Sequence, residues 1–177
     1  LRIVLDEFSP SKSQRKALRR NDQIEIFVTQ PCVTDEHVAL FNLYHRNMAE
    51  LRDWPENVTS FQDYYESFIG RPFDFAREFQ YRKDGRLIGI GIVDVLKEGL
   101  SSVYFYHDPA WRKLSPGTFS ILTEIEWAKS NSLKYSYLGY WIHENQSMDY
   151  KARFTPHQLL EACVDFDEEP VWVLVTD

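Results

Sequence analysis

The sequence predicts an α/β protein, a mixed sheet flanked by helices, and three observations carry that prediction. Two strand-like runs, 79–82 and 87–96, meet across Lys83-Asp84-Gly85-Arg86, and Asp-Gly is a preferred dipeptide for joining antiparallel strands. Strand, helix and strand patterns then follow one another from 100 to 142, the order of a crossover that lays two strands parallel. Helical patterns precede both, so the helices are available to cover the faces of one sheet.

Taken in order, 1–5 (Leu-Arg-Ile-Val-Leu) is a strand, and it reads as the continuation of a longer chain. Ser9-Pro10-Ser11 breaks it and caps a short basic helix from 12 to 20, which Asn21-Asp22 ends. Ile24, Ile26 and Val28 alternate as one face of a strand over 24–29. Thr34-Asp35-Glu36 opens a helix whose apolar positions Val38, Phe41, Leu43 and Met48 run towards Leu51. Residues 59–69 form another helix, with Ser60 as cap and Asp63 placed for a capping-box variant. After the hairpin, Lys97-Glu98-Gly99 turns the chain into a strand over 100–107, and Asp108-Pro109 stops it because the residue before proline is pushed from helical geometry. A helix over 117–130 carries Phe119, Leu122, Ile125 and Ala128 on one side; strands follow at 135–142 and 171–175. No repeat or low-complexity linker divides the 177 residues, so one domain is expected over 1–177.

Composition narrows the class. The chain is 44% hydrophobic and 15% aromatic, ample for a core, so disorder is excluded as the overall state. Its longest apolar runs, 87–93 and 171–175, are too short to span a bilayer, and a soluble, cytoplasmic protein with no membrane partner is expected. Cys32 and Cys163 show no paired spacing and are expected as buried free thiols. A net charge of -7 argues against a general nucleic-acid coat, but Lys12, Arg15, Lys16, Arg19 and Arg20 fall in one segment without an acid.

The stretch 137–156 is the most telling, because it presents Lys151 and Arg153 among aromatic rings, Tyr140 and Tyr150 included. Fixed cations on an aromatic surface suit a site that grips a carboxylate or phosphate away from bulk water. Leu114-Ser115-Pro116-Gly117 opens the crossover helix and offers unpaired amides and a positive dipole end to an anion, or is simply a helix start with Pro in its first turn. Asp94 shares the parity of Ile88, Ile90 and Ile92, so its carboxylate takes an apolar position and needs a partner; it is a raised-pKa base or a structural acceptor. Gly89 and Gly91, on the opposite face, leave room for a close approach or mark a bulge. Ser101, Ser102, Tyr104 and Tyr106 occupy the next strand, where the two tyrosines share a face and could line a pocket. His37, His45, His107, His143 and His157 lack metal spacing and are expected at the surface or at caps. No nucleophile motif is present, and no metal or other cofactor is called for.

With helices first, then a meander, then a crossover, the order resembles the acetyltransferase-like superfamily. The motifs resemble, more specifically, the aminoacyl-tRNA to protein transferases. These are Phe8-Ser-Pro-Ser-Lys-Ser-Gln-Arg-Lys16, Gly85-Arg-Leu-Ile-Gly89 with Val93-Asp94-Val95, and Gly99-Leu-Ser-Ser-Val-Tyr-Phe-Tyr-His-Asp-Pro109. Leu114-Ser-Pro-Gly117, Tyr137-Leu-Gly-Tyr-Trp-Ile142 and Met148-Asp-Tyr-Lys-Ala-Arg-Phe-Thr-Pro156 complete the set, in the family's order. The loop reads Leu-Ser-Pro-Gly where Leu-Ser-Leu-Gly is usual, and the family's cysteine-rich N-terminal region would precede Leu1.

That resemblance implies transfer of arginine or leucine from its tRNA to the α-amine of proteins beginning with Asp or Glu, which marks them for degradation. On that reading Lys151 and Arg153, with Tyr150 and Tyr140, are the candidates for gripping the acidic acceptor, Asp94 for orienting or deprotonating the amine, and Tyr104 for contact with the ester. Lys12, Arg15, Lys16, Arg19, Arg20, Ser115 and Gly117 would hold the tRNA acceptor end. The competing readings are a coenzyme A-dependent N-acetyltransferase and a non-catalytic module that binds acidic N-termini.

Overall fold

The computed structural model describes residues 1–52, 54–55, 58–70, 73–145, 148–165 and 167–176. One eight-stranded sheet organises them. In chain order the strands are β1 (Arg2–Val4), β2 (Glu25–Thr29), β3 (Ala76–Lys83), β4 (Arg86–Val95), β5 (Gly99–His107), β6 (Tyr135–Tyr137), β7 (His157–Leu160) and β8 (Trp172–Val175). Across the sheet they run β2-β3-β4-β5-β6-β1-β7-β8, and only β5 and β6 are parallel. The helices are α1 (Lys12–Arg20), α2 (Asp35–Arg52), α3 (Phe61–Phe68) and α4 (Pro116–Ser130). The expected mixed sheet with flanking helices is therefore what the chain forms.

Local chemistry explains the boundaries. Ser11 accepts from the Gln14 amide while the Gln14 side chain accepts from the Ser11 amide, closing a capping box at α1; Ser60 and Asp63 do the same at α3. Asp84 (φ +51°) and Gly85 (φ +78°) are both left-handed, the geometry a two-residue hairpin between β3 and β4 requires. Asp108 ends β5, its carboxylate accepting from the Ala110 amide and from Arg86 at 2.6 Å. On α2 the buried positions are His37, Leu40, Phe41 and Met48, whereas Leu43, expected inside, is 42% exposed.

The sheet separates two cores. Phe79, Tyr81, Trp111, Phe119, Leu122 and Ile125 pack under α1 and α4; Leu40, Phe41, Tyr64, Ile90, Ile92 and Tyr106 pack under α2 and α3. A bulge corrects one expectation. Tyr81 pairs with Gly89 but Arg82 pairs with Leu87, so Ile88 is an extra residue and joins the α4-side core, opposite to Ile90 and Ile92. The strand expected over 135–142 stops at Tyr137, because Gly139 turns left-handed (φ +75°). Strand β7 was not foreseen.

Two further expectations change. Cys163 is exposed and Cys32 only half-buried, although both thiols are free as expected. His37, His107 and His157 are buried rather than superficial; His37 meets Glu78 and Thr34, and the His107 ring contacts the Asp108 carbonyl at 2.8 Å. Among the described residues no helix is long and apolar enough to cross a membrane.

Candidate functional site

The ladder between β5 and β6 covers only Gly99 to Ser101 against Tyr135 to Tyr137. Beyond it the two strands part, and the β6-facing edge of β5 opens into a cavity of about 810 Å³. Its walls are the end of α2 (Tyr44, Met48, Arg52), β5 from Ser102 to Phe105, the start of α4, and Leu138, Met148, Tyr150 and Lys151.

A second bulge shapes the floor. Ile92 pairs with Tyr104 and Val93 with Ser102, so Val103 is an extra residue in β5. The inserted residue reverses the parity of what precedes it. Tyr104 faces the α2 side, whereas Ser102 faces α4 and donates its hydroxyl to Glu124. Ser120 donates to the other carboxylate oxygen at 2.8 Å and itself accepts from the Tyr81 hydroxyl at 3.1 Å. Glu124 is 2% exposed and borders the cavity. Burial lifts its pKa to about 7, against the pull of the two serine hydroxyls. A carboxyl group that changes charge near neutrality, held by two donors in a cleft, can accept and return a proton.

Gly91 explains how α4 comes so close, and Gly89 how the 3-10 turn before it (Pro109–Leu114) does. A methyl group at Gly89 would lie 2.6 Å from the Trp111 ring, and one at Gly91 would lie 3.3 Å from the Glu124 carboxylate. The expected close approach is thus made by the protein's own helix side.

The cations are unevenly placed. Lys151 lies on a short 3-10 turn (Asp149–Arg153) and lines the cavity, with its ammonium donating to the carbonyls of Leu138 (2.6 Å) and Tyr140 (3.0 Å). Burial lowers its pKa. An ammonium has three protons; among the described residues two bonds hold it, which leaves one for a ligand. Arg153 is exposed and outside the lining; its carbonyl receives the Gln14 side chain. Tyr140 is 83% exposed and also outside it. Arg52 and Arg112 add positive charge to the lining, and Arg112 donates to Asn47 at 2.7 Å.

Tyr104 and Tyr150 both line the cavity, and burial pushes each hydroxyl up to about 12. Tyr104 meets His45 Nε2 at 2.9 Å, whereas Tyr106 is fully buried and bonded to Tyr64 at 2.7 Å. Asp94 is outside the lining, near the end of β4, partly buried with a pKa raised by that burial. Ser115 (φ +60°) makes no side-chain cap at α4, and Ser115, Gly117 and Thr118 border the cavity. On α1, Lys12, Arg15, Lys16, Arg19 and Arg20 are all exposed, since Gln14 and Ala17 supply the buried face. Arg20 donates to the Lys113 carbonyl at 2.8 Å, which ties that basic helix to the turn leading into α4.

Glu124 is absent from the sequence reading. Its signal was available: Ile121, Leu122 and Ile125 surround it, and no base stands three or four residues away.

An open-edged mixed sheet with a helix start set into the parting of two parallel strands defines an acetyltransferase-like fold. Solved structures agree: L-PGS from Bacillus licheniformis superposes with a TM-score of 0.59 at 13% identity over 84% of this chain and 46% of that one. A possible acetyltransferase from Clostridium difficile gives 0.58 at 9% identity over 83% and 99%. At such identities the likeness is one of fold. The family described as arginine-tRNA-protein transferase, C terminus, matches residues 36–161, and the chain belongs to that family. It is 37% identical over 172 residues to the aspartate/glutamate leucyltransferase of Helicobacter hepaticus, covering 97% of this chain and 71% of the relative. It is 34% identical over 173 residues to that of Campylobacter jejuni, covering 97% and 72%.

Proposed function

We propose that this chain transfers leucine from leucyl-tRNA to the α-amine of proteins that begin with Asp or Glu, in the cytoplasm. The observation that carries the reading is Glu124, a carboxyl group titrating near neutrality in the cleft where β5 loses its neighbour. The names of its relatives supply the donor and the acceptor class.

The ester is already activated, so alignment, proton handling and oxyanion stabilisation suffice. The amine nitrogen attacks the ester carbonyl, Glu124 takes its proton, and the carbon-oxygen bond to the ribose breaks as Glu124 returns a proton to the leaving oxygen. A free N-terminal amine has a pKa of about 7.7–8.0, well matched to such a base. Main-chain amides along the open edge of β5 are the oxyanion donors in this scheme, and the Tyr104 hydroxyl contacts the ester. Asp94, outside the lining, is given no proton-transfer role; its place is taken by Glu124.

Lys151 reads the acidic side chain of the acceptor with its remaining proton, flanked by Tyr150; Arg153 and Tyr140 serve outside the cavity, towards the rest of the acceptor. The uncapped start of α4 at Ser115 and Gly117 receives the terminal phosphate of the tRNA, and the exposed face of α1 follows its acceptor stem. The test is transfer of labelled leucine or arginine from charged tRNA to peptides beginning with Asp, Glu or Ala. Transfer of leucine to the acidic pair is expected; arginine transfer alone, or indifference to the first residue, overturns the assignment.

A further inference from the structure

On the other side of the sheet from Glu124, three side chains of different chemistry converge on one point. Cys32 Sγ lies 3.8 Å from His37 Nε2 and 3.8 Å from Glu78 Oε1, and the His37 and Glu78 atoms are 2.9 Å apart. His37 is 1% exposed and Glu78 not at all, while Cys32 is half-buried. This is not the arrangement of a cysteine nucleophile. In such a triad the thiol and the acid use opposite nitrogens of the imidazole, and here both face Nε2. The other nitrogen, Nδ1, is engaged by Thr34 Oγ1 at 2.6 Å.

Three donors facing a common centre is the geometry of ligands. Bonds of about 2.3 Å to sulfur and about 2.0 Å to nitrogen or oxygen, at tetrahedral angles, separate the ligand atoms by roughly 3.3–3.6 Å. The observed separations bracket that range. The outer groups fit as well: Thr34 Oγ1 accepting from Nδ1–H leaves the Nε2 lone pair free for a metal, and Gln80 donates to Glu78 Oε1 at 2.8 Å. Charge also closes, because a thiolate and a carboxylate offset a divalent cation and the imidazole remains neutral.

We propose that Cys32, His37 and Glu78 bind a zinc-class divalent ion, with water in the fourth position on the partly exposed Cys32 side. The ion fastens the loop after β2 and the first turn of α2 to β3. Because Tyr44 and Met48 of α2 wall the cavity, the clip also sets that wall. The spacing of the ligands hides the site from the sequence, since Glu78 arrives only through strand pairing, opposite Thr29.

The experiment is a titration of the reduced, chelator-treated protein with cobalt(II) alone, read by absorbance. A thiolate-to-cobalt charge-transfer band at one equivalent is expected, displaced by zinc. Cys32→Ser removes the band and Cys163→Ser leaves it. Thr34→Val, which keeps every ligand, weakens cobalt binding about 10- to 100-fold. Absence of the band in the native protein, or a band that survives Cys32→Ser, overturns the proposal and leaves the cluster as a buried hydrogen-bond network. Circular dichroism of each variant separates loss of the ligand from loss of the fold.

Discussion

Ser102 reaches the Glu124 carboxylate only because Val103 is an extra residue in β5. In a regular, unbulged strand residues two apart share a face, so the serine would lie with Tyr104 and point towards α2. The hydrogen bond lowers the pKa of Glu124 against the upward push of burial. Ser102→Ala therefore raises it. A hydrogen bond to a charged group of roughly 1.5–3 kcal/mol corresponds to about 1–2 pKa units. The acidic limb of kcat/KM for transfer should move to higher pH by about that amount.

Glu124→Gln should lower kcat by about 10²- to 10⁴-fold, the usual size of a lost acid-base group, and flatten the limb near pH 7.

Stability should respond in the opposite sense. Glu124 has a folded pKa of about 7 and a reference value of 4.5, so the folded protein binds the extra proton between those values. Wild-type stability must then fall as pH rises through that window, by on the order of 3 kcal/mol. Glu124→Gln removes this dependence, so thermal unfolding at pH 8 should occur at a higher temperature than in wild type.

Lys151→Ala should abolish the preference for Asp and Glu over Ala at the acceptor N-terminus. Peptide competition measures it, and unchanged relative rates would remove Lys151 from the acceptor site. The variant also frees the Leu138 and Tyr140 carbonyls, so its melting temperature belongs in the same comparison.

Replacing Lys16 and Arg19 with Ala should raise KM for charged tRNA and reduce its dependence on salt, with kcat at saturation preserved. Each lost phosphate contact lowers the slope of log affinity against log salt by about 0.7–0.9.

Gly89→Ala tests the packing beneath the site. Its methyl group would meet the Trp111 ring at 2.6 Å, so overpacking of about 1–3 kcal/mol is expected in urea unfolding.

Much of this architecture was legible because its signals are local. Asp84-Gly85 fixes a hairpin, Ser60 with Asp63 fixes a helix start, and the apolar stripe of 117–130 gives the crossover helix nearly to the residue. Bulges are not local in this sense. Ile88 and Val103 each reverse a strand's parity through pairing with a neighbour, which misplaced Ile88 and hid the meeting of Ser102 with Glu124. Tyr104, Tyr150, Lys151, Ser115 and Gly117 do share one cavity, and the motif that contains Lys151 announced it. Asp94 drew attention as a carboxylate in an apolar strand; the same reasoning applied to α4 would have found Glu124.

The position of β1 has a consequence for how the molecule is made. Arg2 and Ile3 pair with Tyr137 and Ser136 on one side and with Gln158 and His157 on the other. Strand β1 thus waits for partners synthesised more than a hundred positions later. Such distant closure slows folding, and until it happens the cleft above α4 lacks the strand that backs β6. A growing polypeptide would gain its hairpins and helices first and its competence to act last.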